Sequence, residues 1–236
     1  MTEGTSATSP VVDQQRTLHT ASGDFPLQEY NLREGGRSWA ILHTGAILSR
    51  ADESHFLGEL TDRLPYGVAL WPAAIALAHE MVARADVITG KRILELGAGT
   101  GLAGIVAASL GGRVVQTDRN ELTLSVCRRN GERNDTRSIE YRLADWTAWD
   151  DTGHYDWIIG SDILYGEVMH PALRQIFAAN LAPGGQIVIA DPFRAVSFKL
   201  LEELEAEGWS VVVSTWQIGE VSASRPIGLF ELAPPR

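Results

Sequence analysis

From Lys91 to the C-terminus, short apolar runs alternate with stretches whose apolar residues recur every three or four positions. The runs are typical of buried strands, and the stretches are typical of amphipathic helices. The predicted strands are Arg92–Leu96, Arg113–Thr117, Ser138–Leu143, Tyr155–Gly160 and Gln186–Ala190. The predicted helices are Leu102–Leu110, Glu121–Asn130, Glu167–Leu181 and Val196–Glu207. Strands that alternate with helices form βαβ units, so we expect an α/β fold with a parallel sheet covered on both faces.

The C-terminal end departs from this alternation. Two further strands, Trp209–Trp216 and Ile227–Leu232, are predicted with only residues 217–226 between them. A gap this short cannot hold a helical crossover, so the two strands are expected to run antiparallel. Residues 91–236 are therefore predicted to form a Rossmann-like, doubly wound sheet that is mostly parallel with an antiparallel last strand.

Residues 24–90 precede this core and are predicted to form a small cap rather than a separate domain. Tyr30–Leu32 and Trp39–His43 flank a Gly-Gly turn, which favours a β-hairpin. Apolar residues recur at helical spacing after Pro72, so Pro72–Arg84 is predicted to be an amphipathic helix. Residues 1–23 are rich in Ser and Thr with few large apolar side chains, and we interpret them as a disordered tail.

Composition narrows the class of protein further. The 236 residues are 44% hydrophobic and 21% charged, which is ordinary for a globular domain. A formal net charge of -10 disfavours generic nucleic-acid binding, because such a surface repels phosphates. The single cysteine, Cys127, excludes an internal disulfide and suits a reducing cytoplasm. We expect no export signal, no span of the roughly 20 apolar residues that a membrane requires, and no metal site, because the histidines are scattered.

A turn of alternating glycines occupies residues 95–101, with the sequence ELGAGTG, between a predicted strand and a predicted helix. Glycine suits a sharp turn in which the backbone approaches a ligand without an intervening Cβ atom. Residues 99–104 also satisfy the G-x-G-x-x-G pattern of dinucleotide sites, with Asp118 near the spacing of a ribose-binding acid. The register is wrong for that ligand, because the first glycine after the strand is Gly97. Glu95 would repel a pyrophosphate and attract an ammonium, so a cofactor that carries an amine is favoured.

The turn resembles motif I, E/D-x-G-x-G-x-G, of the class I (seven-β-strand) methyltransferases, which use S-adenosyl-L-methionine and release S-adenosyl-L-homocysteine. The resemblance implies that Gly97, Ala98 and Gly99 pass beneath this cofactor. It also implies that Glu95 lies near the methionine end, and Gly101 completes the motif.

The ends of the next two predicted strands match further positions of this family. By the same resemblance, Asp118 would bind both ribose hydroxyls of the cofactor. Asp145 and Trp146 would meet the adenine through a carboxylate hydrogen bond and ring packing. Without motif I, Asp145 would instead be interpreted as a strand-end cap and Trp146 as a core aromatic.

The segment after the fourth predicted core strand, residues 161–165 (SDILY), resembles the D/E-x-x-Y motif of the seven-β-strand protein-lysine methyltransferases. The tryptophan before the cap helix, Trp71, matches the same group, and the resemblance implies that Trp71 touches the cofactor and Ser161 lines its pocket. A lysine ammonium has a pKa of ~10.4 and must lose a proton before it can accept a methyl group. We therefore assign Asp162 to orienting the amine or the backbone around it, and Tyr165 to lining the methyl channel. The alternative is that Asp162 caps the following helix and Tyr165 only packs.

The sequence thus predicts a cytoplasmic S-adenosylmethionine-dependent methyltransferase whose partner is a protein with an accessible lysine. Transfer to a small-molecule amine, alcohol or carboxylate remains open, as does a non-catalytic role in cofactor binding. Methylation of nucleic acid is disfavoured. Adenine-N6 enzymes carry D/N-P-P-Y/F after the fourth strand, where this chain has Ile163 and Leu164 in place of the prolines. Asp191-Pro192-Phe193 follows the fifth strand instead, where we expect it to shape substrate access.

Overall fold

The computed structural model describes residues 16–60, 63–219 and 224–235. Its strands are β1 (Thr17–Thr20), β2 (Gly23–Pro26), β3 (Gln28–Glu34), β4 (Arg37–His43), β5 (Arg92–Leu96), β6 (Arg113–Asp118), β7 (Glu140–Leu143), β8 (Tyr155–Ser161), β9 (Leu181–Asp191), β10 (Ser210–Ile218) and β11 (Arg225–Ala233). Its α-helices are α1 (Arg50–His55), α2 (Pro72–Ala83), α3 (Ala85–Ile88), α4 (Leu102–Ser109), α5 (Glu121–Arg133), α6 (His170–Asn180) and α7 (Ala195–Ala206). Shorter helical segments are Phe56–Leu60, Tyr66–Val68, Trp146–Ala148 and Glu167–Met169.

The central sheet has seven strands in the order β10-β11-β9-β8-β5-β6-β7. All of them run parallel except β11, which is antiparallel to both β9 and β10. This confirms the predicted Rossmann-like sheet with an antiparallel last strand. The strand order reverses between β5 and β8, and open α/β sheets bind ligands beyond the carboxyl ends of the strands at such a point.

Successive strand side chains point to opposite faces of this sheet, and both faces are covered by helices. Ile93 belongs to the apolar cluster that contains α2 and α4, whereas Leu94 belongs to the cluster that contains α6 and α7. Both side chains are fully buried, as expected for a parallel sheet covered on both faces. No described helix has the length and apolar character that a membrane-spanning helix needs.

The cap is built from the hairpins β1–β2 and β3–β4 and the helices that follow them. The two-residue turn Gly35-Gly36 has φ angles of 56° and 73°, the left-handed geometry that matches strand twist in a tight hairpin. Asn130 of α5 anchors this hairpin to the core. Its side chain bonds both backbone groups of Leu42, at 2.7 and 3.0 Å, and the Thr100 carbonyl at 2.8 Å. The cap is thereby held beside the glycine turn.

The structure differs from the sequence-based prediction in two parts of the cap region. The predicted tail was too long, because Leu18 of β1 is buried against Phe25 and Leu27, and residues 16–23 belong to the first hairpin. The rest of that tail, residues 1–15, lies outside the described residues. Helix α1 was not predicted, because its six residues are too few to show an apolar period.

Strand β9 also begins earlier than predicted, at Leu181 rather than Gln186. Residues 183–185 (PGG), whose composition favours a turn between the preceding helix and this strand, lie inside the strand. There the pairing with β8 shifts register between Tyr155 and Trp157, so the turn residues are accommodated as an irregularity of the ladder.

Candidate active site

The glycine turn between β5 and α4 has a left-handed backbone. Gly97, Gly99 and Gly101 have φ angles of 63°, 57° and 86°, a region that residues with a side chain rarely enter. A Cβ atom on Gly97 would lie 3.0 Å from the Ile163 side chain and 3.4 Å from the Trp146 ring. Glycine is therefore required at position 97 by both the backbone angle and the packing. The turn, through residues 97–100, lines an open cavity.

Glu95 lies behind this turn. Its Oε2 atom accepts hydrogen bonds from the Gly104 backbone at 3.1 Å and from Gln116 Nε2 at 2.6 Å. Gln116 also donates to the Gly101 carbonyl and accepts from Cys127 Sγ. Burial raises the pKa of Glu95 to about 7. Glu95 and Gly101 are not among the residues that line the cavity, and both belong to the hydrogen-bond network behind the turn.

Asp118 ends β6 and lines the cavity beside the turn. Its Oδ2 atom accepts from the Gly99 backbone at 3.2 Å, and its Oδ1 atom accepts from the Asn120 backbone at 3.0 Å. Burial raises the pKa of Asp118, while these two bonds act in the opposite direction. The carboxylate is thus held in one orientation at the cavity wall.

Asp145 and Trp146 line the cavity beyond β7. The side chain of Asp145 is exposed and caps the short helical turn that follows, accepting bonds from the backbone and hydroxyl of Thr147 at 2.8 and 2.7 Å. These bonds lower the pKa of Asp145. Trp146 is half-buried against the α6–α7 side of the core. Both residues therefore have a structural role and also face the cavity.

A segment of the cap lies over the glycine turn. Gly67 packs so closely that a Cβ atom on it would lie 2.5 Å from Thr123 Cγ2, and a Cβ atom on Gly99 would lie 3.3 Å from the Gly67 carbonyl. Thr123 also lines the cavity, and its buried Oγ1 atom has no hydrogen-bond partner. The Thr123 side chain thus packs directly under Gly67 and sets how closely the cap segment approaches the turn.

Three aromatic rings of the cap form one wall. Trp71 lies 5.9 Å from Phe56 and 6.3 Å from Tyr66, measured between ring centroids. The indole N–H of Trp71 donates to the Tyr66 carbonyl at 3.0 Å. Trp71 and Tyr66 line the cavity, and Phe56 is buried behind them.

The opposite wall is ionic and lies at the ends of β8 and β9. Ser161 ends β8, and Asp162 follows with a left-handed φ of 59° while its N–H donates to the Ala190 carbonyl at 2.8 Å. The carboxylate of Asp162 pairs with the guanidinium of Arg194. Arg194 is itself held by Asp191, through its backbone N–H at 2.9 Å and its Nη1 atom at 3.2 Å. Burial raises the pKa of Asp162 to about 6, although Arg194 opposes this shift.

Tyr165 lines the same end of the cavity and is 60% exposed, so it is not a packing residue. Asp162 does not cap the next helical turn, whose N-cap residue is Gly166. The alternative interpretation of both residues is therefore wrong.

One cavity of about 770 Å³ connects these walls, within the range of small-molecule sites. The predicted site residues that line it are Trp71, Gly97, Ala98, Gly99, Asp118, Asp145, Trp146, Ser161, Asp162 and Tyr165. The cavity spans the switch point of the sheet, with the β6 and β7 ends on one side and the β8 and β9 ends on the other.

The lining residues that sequence reasoning missed include Glu53, Gly67, Thr123 and Arg194. Gly67 could have been suspected as a lining residue from the sequence, because it lies four positions before Trp71, which matches a family motif. Nothing in the local pattern marks the others, because they reach the cavity through contacts between distant segments.

Comparison with known proteins gives a consistent result. The sequence model of a family described as lysine methyltransferase matches residues 57–202. Protein N-lysine methyltransferase METTL21A of Danio rerio is 36% identical over 178 residues, which are 73% of this chain and 71% of the relative. EEF1A lysine methyltransferase 3 of Mus musculus is 33% identical over 137 residues, which are 56% of this chain and 59% of the relative.

A solved structure shows the same fold at much lower identity. The magnesium protoporphyrin IX methyltransferase of Synechocystis PCC 6803 with bound SAM has a TM-score of 0.52 and 15% identity, over 67% of this chain and 77% of that chain. The family match covers more than half of the 236 residues and includes the glycine turn, Tyr66, Trp71 and the ionic wall of the cavity. The chain therefore belongs to the lysine methyltransferase family and is a class I, S-adenosylmethionine-dependent methyltransferase.

Proposed function

We propose that the protein transfers the methyl group of S-adenosylmethionine to a lysine side chain of a protein substrate. The observation that carries this proposal is the open acceptor end of the cavity, where Tyr66 and Tyr165 are 51% and 60% exposed. An open end admits one side chain of a macromolecule, whereas a sealed chamber favours a small metabolite. The two curated relatives are named as lysine methyltransferases, which supports the same acceptor.

The walls of the cavity fit the cofactor. The glycine turn offers backbone without side chains, and Asp118 presents a carboxylate held in one orientation, which suits the ribose hydroxyls. Asp145 and Trp146 would contact the adenine. Glu95 would act indirectly, by holding the turn from behind.

Chemistry at the acceptor end follows from the chain's own residues. S-adenosylmethionine supplies, when bound, a methyl group on a positively charged sulfur. A nucleophile attacks the methyl carbon in line with the sulfur, which leaves as the thioether of S-adenosylhomocysteine. The aromatic surfaces of Tyr66, Trp71 and Tyr165 reduce solvation of the entering amine, which favours its neutral form. Asp162 would accept a hydrogen bond from this amine and orient its lone pair. Arg194 would keep Asp162 ionised, because a paired cation favours the charged carboxylate.

The test is methylation of a cell lysate with the purified protein and S-adenosylmethionine labelled in its methyl group. We expect label in protein, recovered as methyl-lysine after hydrolysis. Asp162→Asn should lower kcat while calorimetry shows unchanged cofactor affinity, and the exposed Glu205→Gln should change neither. Label found only in small molecules, in RNA or in methylarginine would contradict the proposed acceptor.

We also propose that the protein acts in the cytoplasm. Its one cysteine, Cys127, is buried and forms no disulfide, which is compatible with a reducing compartment. Fluorescence microscopy of the tagged full chain tests this, and exclusive localisation to another compartment would refute it.

A further inference from the structure

Helix α1 of the cap brings a carboxylate to the acceptor end of the cavity. A reciprocal capping box fixes its first turn, with Ser49 N donating to Asp52 at 2.7 Å and Asp52 N donating to the Ser49 hydroxyl at 3.1 Å. The side chain of Asp52 is therefore engaged at the helix start, while the next residue, Glu53, lines the cavity. One turn later Phe56 packs against Trp71. The helix thus has an ordered start, and its C-terminal end packs against the aromatic wall.

Glu53 lies on the same side of the cavity as Asp162. Its Oε2 atom accepts a bond from Arg225 at 2.8 Å, and Arg225 begins β11, which neighbours β9 in the sheet. The charge of Glu53 also contributes to the raised pKa of Asp162. Arg225 does not itself line the cavity. Glu53 therefore lines the cavity close enough to Asp162 for the two charges to interact.

Carboxylates of the cap and of the core approach each other at this end. Among the described residues, Asp162 and Asp191 share the guanidinium of Arg194, and Glu53 pairs with Arg225. Glu53 and Asp162 both line the cavity, where two carboxylates favour a cation over a neutral group of the same size.

The neighbouring surface also suits a cation on an alkyl chain. Tyr66 and Trp71 line the cavity next to this cluster, and aromatic ring faces attract ammonium groups and pack against methylene groups. A lysine side chain has both parts.

We propose that Glu53 is a specificity-determining residue of the acceptor site, and that its carboxylate, together with Asp162, binds the substrate lysine as the ammonium when it enters the cavity. The ammonium then gives its proton to water at the open end, and only the neutral amine accepts the methyl group. The inference rests on the proposed function and deepens it. The cap, and not only the motif after β8, would select a cationic acceptor. Neutral acceptors such as alcohols would be rejected at the binding step.

Two adenosine-based probes test this directly. One carries a 4-aminobutyl chain on an amine at the 5′ position, and the other carries a pentyl chain, so that the probes differ only by an ammonium in place of a methyl group. Their affinities are measured by calorimetry for the wild type, Glu53→Gln and Arg225→Gln. Arg225→Gln is the matched control, because it breaks the same ion pair but leaves the carboxylate in place.

We expect the affinity of the wild type for the ammonium probe to be at least about 10-fold higher than its affinity for the pentyl probe. A ratio of this size corresponds to one hydrogen bond to a charged group. Glu53→Gln should reduce this ratio to about 3-fold or less, whereas Arg225→Gln should retain or increase it. Equal loss in both variants would mean that Glu53 only ties α1 to β11, and would overturn the inference. Equal binding of the two probes by the wild type would overturn it as well.

The pentyl probe also separates specificity from folding. Unchanged affinity for this probe in Glu53→Gln shows that the cofactor site is intact. Glu53→Asp keeps a carboxylate at this position and should recover part of the ammonium preference. The outcome of the lysate assay is independent of the outcome of the probe experiment. Without protein methylation, a preserved ammonium preference would refute the protein acceptor but leave the selection of a cationic amine standing.

Discussion

Glu95→Gln tests whether a buried acid under the glycine turn limits the stability of the protein at neutral pH. Glu95 is 2% exposed, and burial raises its pKa from the ordinary 4.5 to about 7. Because the pKa is higher in the folded than in the unfolded chain, folding binds a proton. The stabilisation is complete below the unfolded pKa and is lost as pH rises through the folded pKa. At about 1.4 kcal/mol for each pKa unit, the loss is about 3 kcal/mol of unfolding free energy.

Glutamine stays neutral at every pH, and its carbonyl can still accept the bonds from Gly104 and Gln116. We therefore expect the unfolding free energy of Glu95→Gln, relative to that of the wild type, to be higher at about pH 8 than at about pH 5. The expected increase is about 2 to 3 kcal/mol. Urea unfolding of the cofactor-free protein at both values measures this, with the exposed Glu205→Gln as control. An equal difference between variant and wild type at the two values would refute the reasoning.

Three further substitutions test the two ends of the site. Arg194→Gln should raise the pKa of Asp162 by about one to three pH units, so that kcat falls at neutral pH and recovers at alkaline pH. Arg194→Lys keeps the positive charge and should have a pH–rate profile near that of the wild type. An unchanged profile in Arg194→Gln would contradict this role. Gly67→Ala places a Cβ atom 2.5 Å from Thr123 Cγ2 and should weaken cofactor binding in calorimetry by about 10-fold. Adding Thr123→Ala should restore that affinity, and failure to do so argues against direct packing. Asp118→Asn should weaken cofactor binding by about 10-fold or more with kcat at saturation little changed, and a loss confined to kcat would exclude its assigned role.

The cofactor end of the site was largely predictable, because its requirements are local. A left-handed turn between a strand and a helix needs glycine at given positions, and Gly97 and Gly99 meet that need within three consecutive residues. Asp118 was predictable for a related reason, since the end of a parallel strand next to that turn lies at the same edge of the sheet. Strand periodicity was sufficient to locate both features.

The acceptor end was predictable only in part. Asp162 and Tyr165 belong to one short segment, but the guanidinium that pairs with Asp162 comes from Arg194, 32 residues further along the chain. Glu53 comes from a helix of six residues that has no detectable period. Neither residue satisfies a local backbone requirement, so no sequence pattern marks it. Only the packing of cap against core brings them together.

Glu95 shows a different limit of sequence reasoning. Its presence in the motif indicated a carboxylate near the ligand, but a charged residue at the end of a strand can serve the ligand directly or hold the loop that does. The hydrogen bonds to Gly104 and Gln116 favour the second role, which we propose for Glu95. A motif thus identifies which residues matter without stating which of them touch the ligand.

The two ends of the cavity therefore depend on different parts of the chain. The proposed cofactor end is built from short segments at the ends of β5, β6 and β7. The acceptor end depends on Glu53, Tyr66 and Trp71, which the cap supplies. Because Glu53 is tied to β11 rather than to β5 or β6, its substitution can change acceptor preference while the turn that holds the cofactor keeps its geometry. Selectivity for the methyl acceptor can thus vary through the cap without loss of the cofactor site.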